Sequence, residues 1–247
     1  MDNFIYGIRP LIEALREDKQ IDKILLQSNL RSDNIRILKE EMRNCSKHIP
    51  IQYVPSEKLN AISKGANHQG VIAYCSLITY SDLEQTVSHI FEQGNLPFIM
   101  FLDHLTDVRN VGAIVRSAEC VGVDCIIVPN EGSARINMDA VKTSSGAILR
   151  IPICKSMNTK TTINFLRQSG IKIYSASEKA DINYTNVDMR EPLCIIMGAE
   201  DKGISKDITK MSDTLLKIPV KGKIESLNVS VAAGILMYEV LRQRECK

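Results

Sequence analysis

The feature that most constrains the fold is a series of apolar runs in the second half of the chain. They read PFIMFL (97–102), CIIVP (125–129), IKIYSA (171–176), PLCIIMGA (192–199) and LLKIPV (215–220). Strands that are buried on both faces lose the alternation of polar and apolar residues, and they are typical of parallel sheets covered by helices. Segments with helical periodicity separate the runs. We therefore predict an α/β domain over residues 96–247, with about five or six parallel strands.

The first part of the chain shows its own alternation of helix and strand patterns. The predicted elements are a helix over 6–17 with Ile8, Leu11, Ile12 and Leu15 on one face, a strand over 22–27, a helix carrying Ile35, Leu38 and Met42, and strands over 51–54 and 71–75. We predict a small α/β domain over 1–75 and a polar linker over 76–95 that contains one helix, at 81–93.

Composition excludes several classes of protein. The longest apolar stretch, residues 96–102, is far too short to span a membrane, and the acidic start does not resemble a signal peptide, so a cytoplasmic protein is expected. The seven cysteines form no CxxC pair and the four histidines are scattered, which favours reduced thiols and no structural metal site. A net charge of only +2 means that any nucleic-acid partner must be bound by local patches.

The loop after the first apolar run leads into the sequence DVRNVGAIVR, residues 107–116. Ligands of open α/β sheets bind at the carboxyl ends of strands, so such loops are candidate sites. Asn110 is predicted to be the N-cap of a helix over 111–121 that is apolar on nearly every side. Gly112 would let another backbone or a ligand approach the first turn of this helix.

Arg116 lies in the middle of that helix, in surroundings predicted to be crowded. A guanidinium stays charged at ordinary pH, and burying it is costly unless a partner is present. The side chain therefore either reaches solvent, pairs with Glu119 or Asp124, or serves a ligand.

A second candidate loop, MGAEDKG (197–203), follows another buried strand. Its glycine spacing is similar to that of a phosphate-binding loop, but Ile204 and Ser205 stand where Lys and Ser/Thr are required, which excludes a nucleoside triphosphate site of that kind. Gly198 would expose main-chain groups to a ligand, and Glu200 could accept a hydrogen bond or pair with Arg116. The alternative is a surface turn with solvated acids.

The third candidate is KIPVKGKIESLNVS, residues 217–230. Either Ser226 or Asn228 can cap the apolar helix predicted over 229–241, and the presence of both suggests a polar site at the start of the helix. The chain has no G-x-G, G-x-S-x-G or H-E-x-x-H pattern, so dinucleotide, esterase and zinc-protease fingerprints are missing.

Together the three segments resemble the three motifs of the SpoU (TrmH-type) RNA 2′-O-ribose methyltransferases. The matching residues are N-x-G-A-I-x-R from Asn110 to Arg116, M-G-A-E-x-x-G from Met197 to Gly203, and I-P followed by S-L-N-V-S-V-A from Ile218 to Ala232. The N-terminal part, with Tyr6-Gly7-Ile8 and His68-Gln69-Gly70-Val71, resembles the small substrate-binding domain of the family's ribosomal-RNA members.

The resemblance implies a SPOUT-type α/β sheet with a C-terminal trefoil knot and a homodimer packed through the first-motif and third-motif helices. The cofactor S-adenosylmethionine would lie in the knot near Gly198, Ile218 and Leu227. The implied reaction is methylation of a ribose 2′-oxygen, closest to the members that act on a guanosine of large-subunit ribosomal RNA, either free or in an assembly intermediate.

Site roles also follow from the resemblance. Arg116 would contact the 2′-hydroxyl or a neighbouring phosphate, and Asn110, Glu200, Ser226 and Asn228 would orient Arg116, the ribose or the cofactor. An arginine is a poor base, since its pKa exceeds about 12, so we expect it to stabilise the developing alkoxide while phosphate, water or Glu200 takes the proton. Methylation of transfer RNA or of another ribosomal site, and a non-catalytic RNA-binding protein of ribosome assembly, remain alternatives.

Overall fold

The computed structural model describes residues 4–17, 19–28, 30, 33–44, 49–199, 202–224 and 226–245. The chain divides into two compact units, Met1–Thr79 and Tyr80–Lys247.

The first unit is a mixed four-stranded sheet with helices. Its elements are β1 (Phe4–Tyr6), α1 (Ile8–Arg16), β2 (Ile21–Gln27), α2 (Asp33–Asn44), β3 (Ile51–Val54), α3 (Ser56–Ser63) and β4 (Val71–Cys75). The strand order is β1-β4-β2-β3, in which β4 is antiparallel to both its neighbours and β3 is parallel to β2. The predicted face of α1 is confirmed, because Ile8, Leu11, Ile12 and Leu15 are buried.

The sequence prediction missed β1 and α3 in this unit. β1 has only three residues, too few to show a period. α3 buries only Leu59 and Ser63, so its apolar stripe is nearly absent.

The second unit is a seven-stranded sheet in which every pairing is parallel. Its elements are α4 (Leu83–Glu92), β5 (Phe98–Asp103), α5 (Val108–Cys120), β6 (Cys125–Pro129), α6 (Met138–Thr143), β7 (Ile153–Ser156), α7 (Thr159–Gln168), β8 (Lys172–Ala176), β9 (Ile182–Asn183), β10 (Leu193–Gly198), α8 (Lys206–Met211), β11 (Thr214–Lys217) and α9 (Val229–Glu245). The predicted parallel α/β fold is confirmed. The sheet has more strands than the five or six expected. Two of its strands were not predicted, because Lys155 interrupts the apolar pattern of β7 and β9 has only two residues.

Residues 80–95 belong to the second unit and pack against its parallel sheet. Ser81 N donates a 2.8 Å hydrogen bond to Ile153 O, and Val87 of α4 is buried in the core among residues of the parallel sheet. Asp82 begins this helix by accepting a hydrogen bond from Gln85 N. The stretch predicted as a linker therefore contains a helix that contributes to the core.

The strand order of the large sheet is β7-β6-β5-β10-β8-β11-β9. Strand β10 lies between β5 and β8, although it comes later in the chain than both. Because all strands run the same way, the loops that follow β5, β8, β10 and β11 open at one edge of the sheet. In open α/β folds that edge is where ligands bind.

Candidate active site

A cleft of about 620 Å³ lies at the carboxyl ends of β8, β10 and β11. This volume is in the range of small-molecule sites in proteins. Its walls include Ala176 at the end of β8, Gly198 at the end of β10, and Ile218, Leu227 and Asn228 in the segment between β11 and α9. The structure thus brings together the three residues predicted to hold a cofactor, Gly198, Ile218 and Leu227.

The charged residues that line the cleft are exposed to solvent. Glu178, Lys179 and Lys202 line it, and Lys179 Nζ is 4.0 Å from Glu178 Oε1. Both side chains of that pair are substantially exposed, so the ion pair contributes little to stability. Four further wall residues, Ala176, Gly198, Ile218 and Leu227, offer main-chain groups and apolar surface, and Asn228 adds a polar side chain.

Gly198 is tightly packed against the returning chain. A Cβ at this position would lie 2.3 Å from the carbonyl carbon of Gly203 and 2.4 Å from Ile204 N. Gly203 has a left-handed φ of 64° and its N–H donates a 2.7 Å hydrogen bond to Ala199 O, which closes the loop. The missing side chain of Gly198 therefore makes room for backbone of its own loop, which the sequence did not reveal.

The side chain of Asn110, in α5, is hydrogen-bonded to that of Asn228, which lies just before α9. Asn228 Nδ2 donates a 3.1 Å hydrogen bond to Asn110 Oδ1. Asn228 precedes α9 and its Oδ1 accepts hydrogen bonds from Ser230 N at 3.0 Å and Val231 N at 3.4 Å, so Asn228 is the cap of that helix. Ser226, the alternative cap, lines the cleft instead.

The prediction that Asn110 is the N-cap of α5 is wrong. The helix begins at Val108, and Asp107 is its N-cap, accepting a 2.8 Å hydrogen bond from Arg109 N. Asp and Asn cap helices about equally well, so sequence preference does not decide between the two positions. Asn110 lies within the first turn, where its side chain is available to Asn228.

Arg116 is exposed, which contradicts the predicted crowded surroundings. Helix α5 buries the face that carries Ile114, Val115 and Ala118, while Arg116 lies on the other side. Within the described ranges Arg116 has no hydrogen bond or ion pair; its two suggested partners are engaged elsewhere.

Those two acids have other contacts. Glu119 pairs with Arg150 at 3.4 Å, and Asp124 Oδ2 accepts a 2.7 Å hydrogen bond from Phe98 N. Burial raises the pKa of the Asp124 carboxyl. Glu200, the remaining predicted site residue, lies outside the described residues.

Gly112 fulfils the packing role predicted for it. A Cβ here would lie 2.1 Å from Thr143 Oγ1 and 3.0 Å from Ala140 O, so α6 approaches the backbone of α5 directly. The sequence left open whether another backbone or a ligand approaches Gly112, and the structure shows that it is the backbone of another helix.

Sequence reasoning missed a polar pair at the end of β5. The carboxylate of Asp103 is 2.6 Å from His104 Nδ1 and accepts a 3.1 Å hydrogen bond from Ser205 N. Asp103 is paired in register with Gly198 of the cleft. The available signal was a lone acidic residue that ends an apolar strand.

Among the described residues, no group of three or more His, Cys, Asp or Glu side chains could hold a metal ion. Across the same residues, no helix combines the length and the apolar character needed to cross a membrane.

Family comparisons cover nearly the whole chain. Residues 97–238 match the model of the SpoU rRNA Methylase family, and residues 4–81 match that of the RNA 2′-O ribose methyltransferase substrate-binding domain. YacO of Bacillus subtilis, assigned to the TrmH family of tRNA/rRNA methyltransferases, is 34% identical over 98% of this chain and 96% of its own length.

Solved structures share the fold. The SpoU methyltransferase AviRb from Streptomyces viridochromogenes, in complex with AdoMet, matches with a TM-score of 0.61 and 22% identity, over 98% of this chain and 90% of its own. The TrmH/SpoU tRNA modifying enzyme of A. aeolicus matches with a TM-score of 0.56 and 31% identity, over 66% of this chain and 84% of its own.

Proposed function

The chain belongs to the SpoU rRNA methylase family, and we propose that it transfers a methyl group from S-adenosylmethionine to the 2′-oxygen of a guanosine ribose in large-subunit ribosomal RNA. The observation that carries the proposal is the cleft at the ends of β8, β10 and β11, with the Asn110–Asn228 pair at its side. The trefoil knot implied by the family resemblance is part of the same proposal.

The cleft fits the proposed cofactor in size and in chemistry. Its volume of about 620 Å³ suits a nucleoside joined to an amino acid, and its walls combine apolar side chains with main-chain groups. Gly198, Ile218 and Leu227 would hold the cofactor. When bound, it supplies an electrophilic methyl group on a sulfonium, so the protein's task is alignment and handling of the hydroxyl proton.

The polar residues divide this task. Asn110 and Asn228 would orient the ribose or the cofactor, and Ser226, which lines the cleft, would add a further hydrogen-bonding group. Arg116 would stabilise the developing 2′-alkoxide, because a fixed cation acts strongly where water is excluded. Phosphate, water or Glu200 would take the proton.

Exposure of Arg116 supports a homodimer as the active form. Arg116 lies on an exposed face of α5 and is not among the residues that line the cleft of its own chain. Helix α9 exposes 51% of Val231 and 55% of Tyr238, one heptad apart on the same face. A second copy of the chain covering α5 and α9 would bury these apolar side chains and would bring Arg116 toward a cleft.

The RNA substrate is the finer part of the proposal. The N-terminal match to a substrate-binding domain supports RNA recognition. The resemblance of Tyr6-Gly7-Ile8 and His68-Gln69-Gly70-Val71 to the ribosomal-RNA members supports ribosomal RNA as the substrate. Relatives such as YacO are assigned to the TrmH family of tRNA/rRNA methyltransferases, and transfer RNA is therefore the alternative substrate to be tested.

The test maps 2′-O-methylation in both RNA classes from a strain that lacks the gene, with complementation by the wild-type and Arg116→Lys proteins. Loss of one guanosine methyl group in large-subunit RNA, restored only by the wild type, is expected. A lost methyl group in transfer RNA would reject the ribosomal target. Unchanged methylation, with no binding of S-adenosylmethionine by calorimetry, would favour a non-catalytic RNA-binding protein.

A further inference from the structure

Asp103 is a buried carboxylate shared between two segments of the chain. It is the last residue of β5 and only 1% exposed. One carboxylate oxygen is 2.6 Å from His104 Nδ1, and the other accepts a 3.1 Å hydrogen bond from Ser205 N. A carboxylate in such surroundings is costly unless both oxygens are satisfied, and here each oxygen has its own partner.

The two segments joined by Asp103 both lead to the candidate active site. On one side, β5 continues through His104 into α5, which carries Asn110 and Arg116. On the other, Ser205 follows the loop whose residues Ala199, Lys202 and Gly203 line the cleft. This cleft wall begins at Gly198, which is paired with Asp103 in the sheet. The carboxylate of Asp103 therefore fixes the other end of the wall, at Ser205.

His104 is held in an unusual conformation that supports this contact. Its backbone has a left-handed φ of 56°, which is uncommon for residues other than glycine. Its ring lies against Gly132, where a Cβ would be 2.5 Å from His104 Cδ2. A strained residue persists when its surroundings determine its position, and here Asp103 and Gly132 hold the ring from two sides.

We propose that Asp103 is a positioning residue for the cofactor cleft, acting through its hydrogen bond to Ser205 N to hold residues 202–205 in their ligand-binding conformation. The proposal rests on the proposed function, because the ligand of the cleft is taken to be S-adenosylmethionine. His104 assists by occupying the second carboxylate oxygen, which keeps Asp103 turned toward Ser205.

The rival explanation is that Asp103 merely stabilises the fold, and Asp213 offers a matched control. Asp213 Oδ2 accepts a 2.8 Å hydrogen bond from Ile173 N, and its other oxygen is 3.4 Å from Arg167. Like Asp103, it accepts a bond from a backbone N–H and pairs with a basic side chain. It precedes β11 and bonds the start of β8, so it lies at the edge of the sheet opposite the cleft.

The experiment compares full-length Asp103→Asn and Asp213→Asn proteins. Calorimetry with S-adenosylmethionine and with S-adenosylhomocysteine gives the affinity, thermal unfolding gives stability, and hydrogen exchange reports the amides of residues 202–205. We expect Asp103→Asn to weaken both ligands about tenfold, because a neutral amide oxygen accepts the hydrogen bond from Ser205 N more weakly than a carboxylate does, and to speed exchange of these amides. Asp213→Asn should leave the affinities within about twofold.

A kinetic split separates positioning from a direct chemical role. With saturating S-adenosylmethionine, Asp103→Asn should turn over at nearly the wild-type kcat while its KM for this cofactor rises about tenfold, because only the loop that binds the cofactor has moved. If Asp103→Asn does not fold, His104→Gly replaces it, since glycine accepts the left-handed backbone without strain. That variant should fold normally and still bind S-adenosylmethionine more weakly than the wild type.

Two results would overturn the proposal. One is wild-type ligand affinity and wild-type amide exchange in Asp103→Asn, and the other is an equal loss of ligand affinity in Asp103→Asn and Asp213→Asn. If the wild-type protein itself binds no S-adenosylmethionine, the proposed function fails instead. The exchange of amides 202–205 then decides the positioning role alone, and unchanged exchange in Asp103→Asn rejects it.

Discussion

The side-chain amide of Asn228 donates a 3.1 Å hydrogen bond to Oδ1 of Asn110, which joins the N-cap of α9 to the first turn of α5. The same asparagine caps α9 with its own oxygen. One side chain thus serves helix stability with its oxygen and the candidate active site with its nitrogen, and the two roles can be separated by substitution.

Substitution of Asn228 tests this division. Asn228→Asp keeps the capping oxygen but loses the donor to Asn110, whereas Asn228→Ala loses both. We expect Asn228→Ala to lower the free energy of unfolding by about 1 kcal/mol and Asn228→Asp to stay near the wild type, since Asp caps as well as Asn. Both variants should lose most methyl transfer. Urea unfolding and single-turnover transfer to RNA measure the two effects, and full activity of Asn228→Asp would show that the side-chain donor of Asn228 is dispensable.

Gly112→Ala tests the close approach of α5 and α6. The added Cβ would lie 2.1 Å from Thr143 Oγ1 and 3.0 Å from Ala140 O, so the helices must separate. We expect the free energy of unfolding to fall by about 1–3 kcal/mol, the usual cost of overpacking. Gly234→Ala in α9 is the control, because among the described residues no atom outside the neighbouring backbone of α9 lies within 4 Å of the added Cβ.

The control variant also reports on the dimer. In a monomer, Gly234→Ala should raise stability by about 0.5–1 kcal/mol through helix propensity. A loss of dimer in sedimentation, with that gain retained in the monomer, would place this face of α9 in the subunit interface.

Glu239 provides a pH-dependent contribution to stability. Its buried carboxylate accepts hydrogen bonds from Arg242 Nη2 and Gln243 Nε2, both at 2.7 Å. The bond from Arg242 is the main cause that lowers the pKa of Glu239 below its ordinary value of 4.5. The stabilisation is therefore complete above about pH 4.5 and is lost as pH falls through the lower pKa of the folded state.

Glu239→Gln should accordingly be less stable than the wild type by about 1 kcal/mol at pH 7. The difference should shrink below about pH 4.5, where the unfolded carboxylate takes up its proton. Denaturant unfolding of both proteins from pH 7 to pH 3 gives the comparison, and a difference that does not change with pH would contradict the assignment.

Arg244 holds the amino ends of β5 and β10. Its guanidinium donates to Leu96 O and Glu191 O, each at 2.8 Å, and to Pro97 O at 3.2 Å. A lysine ammonium group cannot donate to these three carbonyl oxygens with the geometry of the planar guanidinium. Arg244→Lys should therefore lower the free energy of unfolding by about 1–3 kcal/mol.

Arg190→Lys is the matched control for Arg244. Arg190 pairs with Asp188 at 2.9 Å on the surface, where 65% of its side chain is exposed. Its replacement should change stability by no more than about 0.5 kcal/mol. Equal effects of the two substitutions in urea unfolding would remove the special role of Arg244.

Periodicity predicted most of the fold because burial leaves a direct trace in the sequence. β6 was bounded correctly from its apolar run, Cys125–Pro129, whereas β7 was missed because Lys155 interrupts it. The cleft residues Gly198, Ile218 and Leu227 were identified through family motifs, and the structure brings them together.

What could not be predicted depends on contacts between distant residues. The tight packing of Gly198 against its own returning loop is visible only in three dimensions. The choice of Asp107 over Asn110 as the cap of α5 is likewise undecided by residue type, because both cap well. Arg116 was expected among apolar neighbours, but it lies on the exposed face of α5. The sequence of a helix that is apolar on nearly every side does not show which face another element will cover.

The long separation of the cleft walls has a consequence for protein synthesis. Asn110 and Asn228 are 118 residues apart, and closing so large a loop carries an entropic cost that other contacts must first offset. The ribosome releases α9 after β5, β8 and β10, so a nascent chain has these edges of the sheet before it has the final wall of the cleft. A nascent chain that stops before the segment between β11 and α9 therefore lacks Ile218, Leu227 and Asn228 from the lining of the cleft.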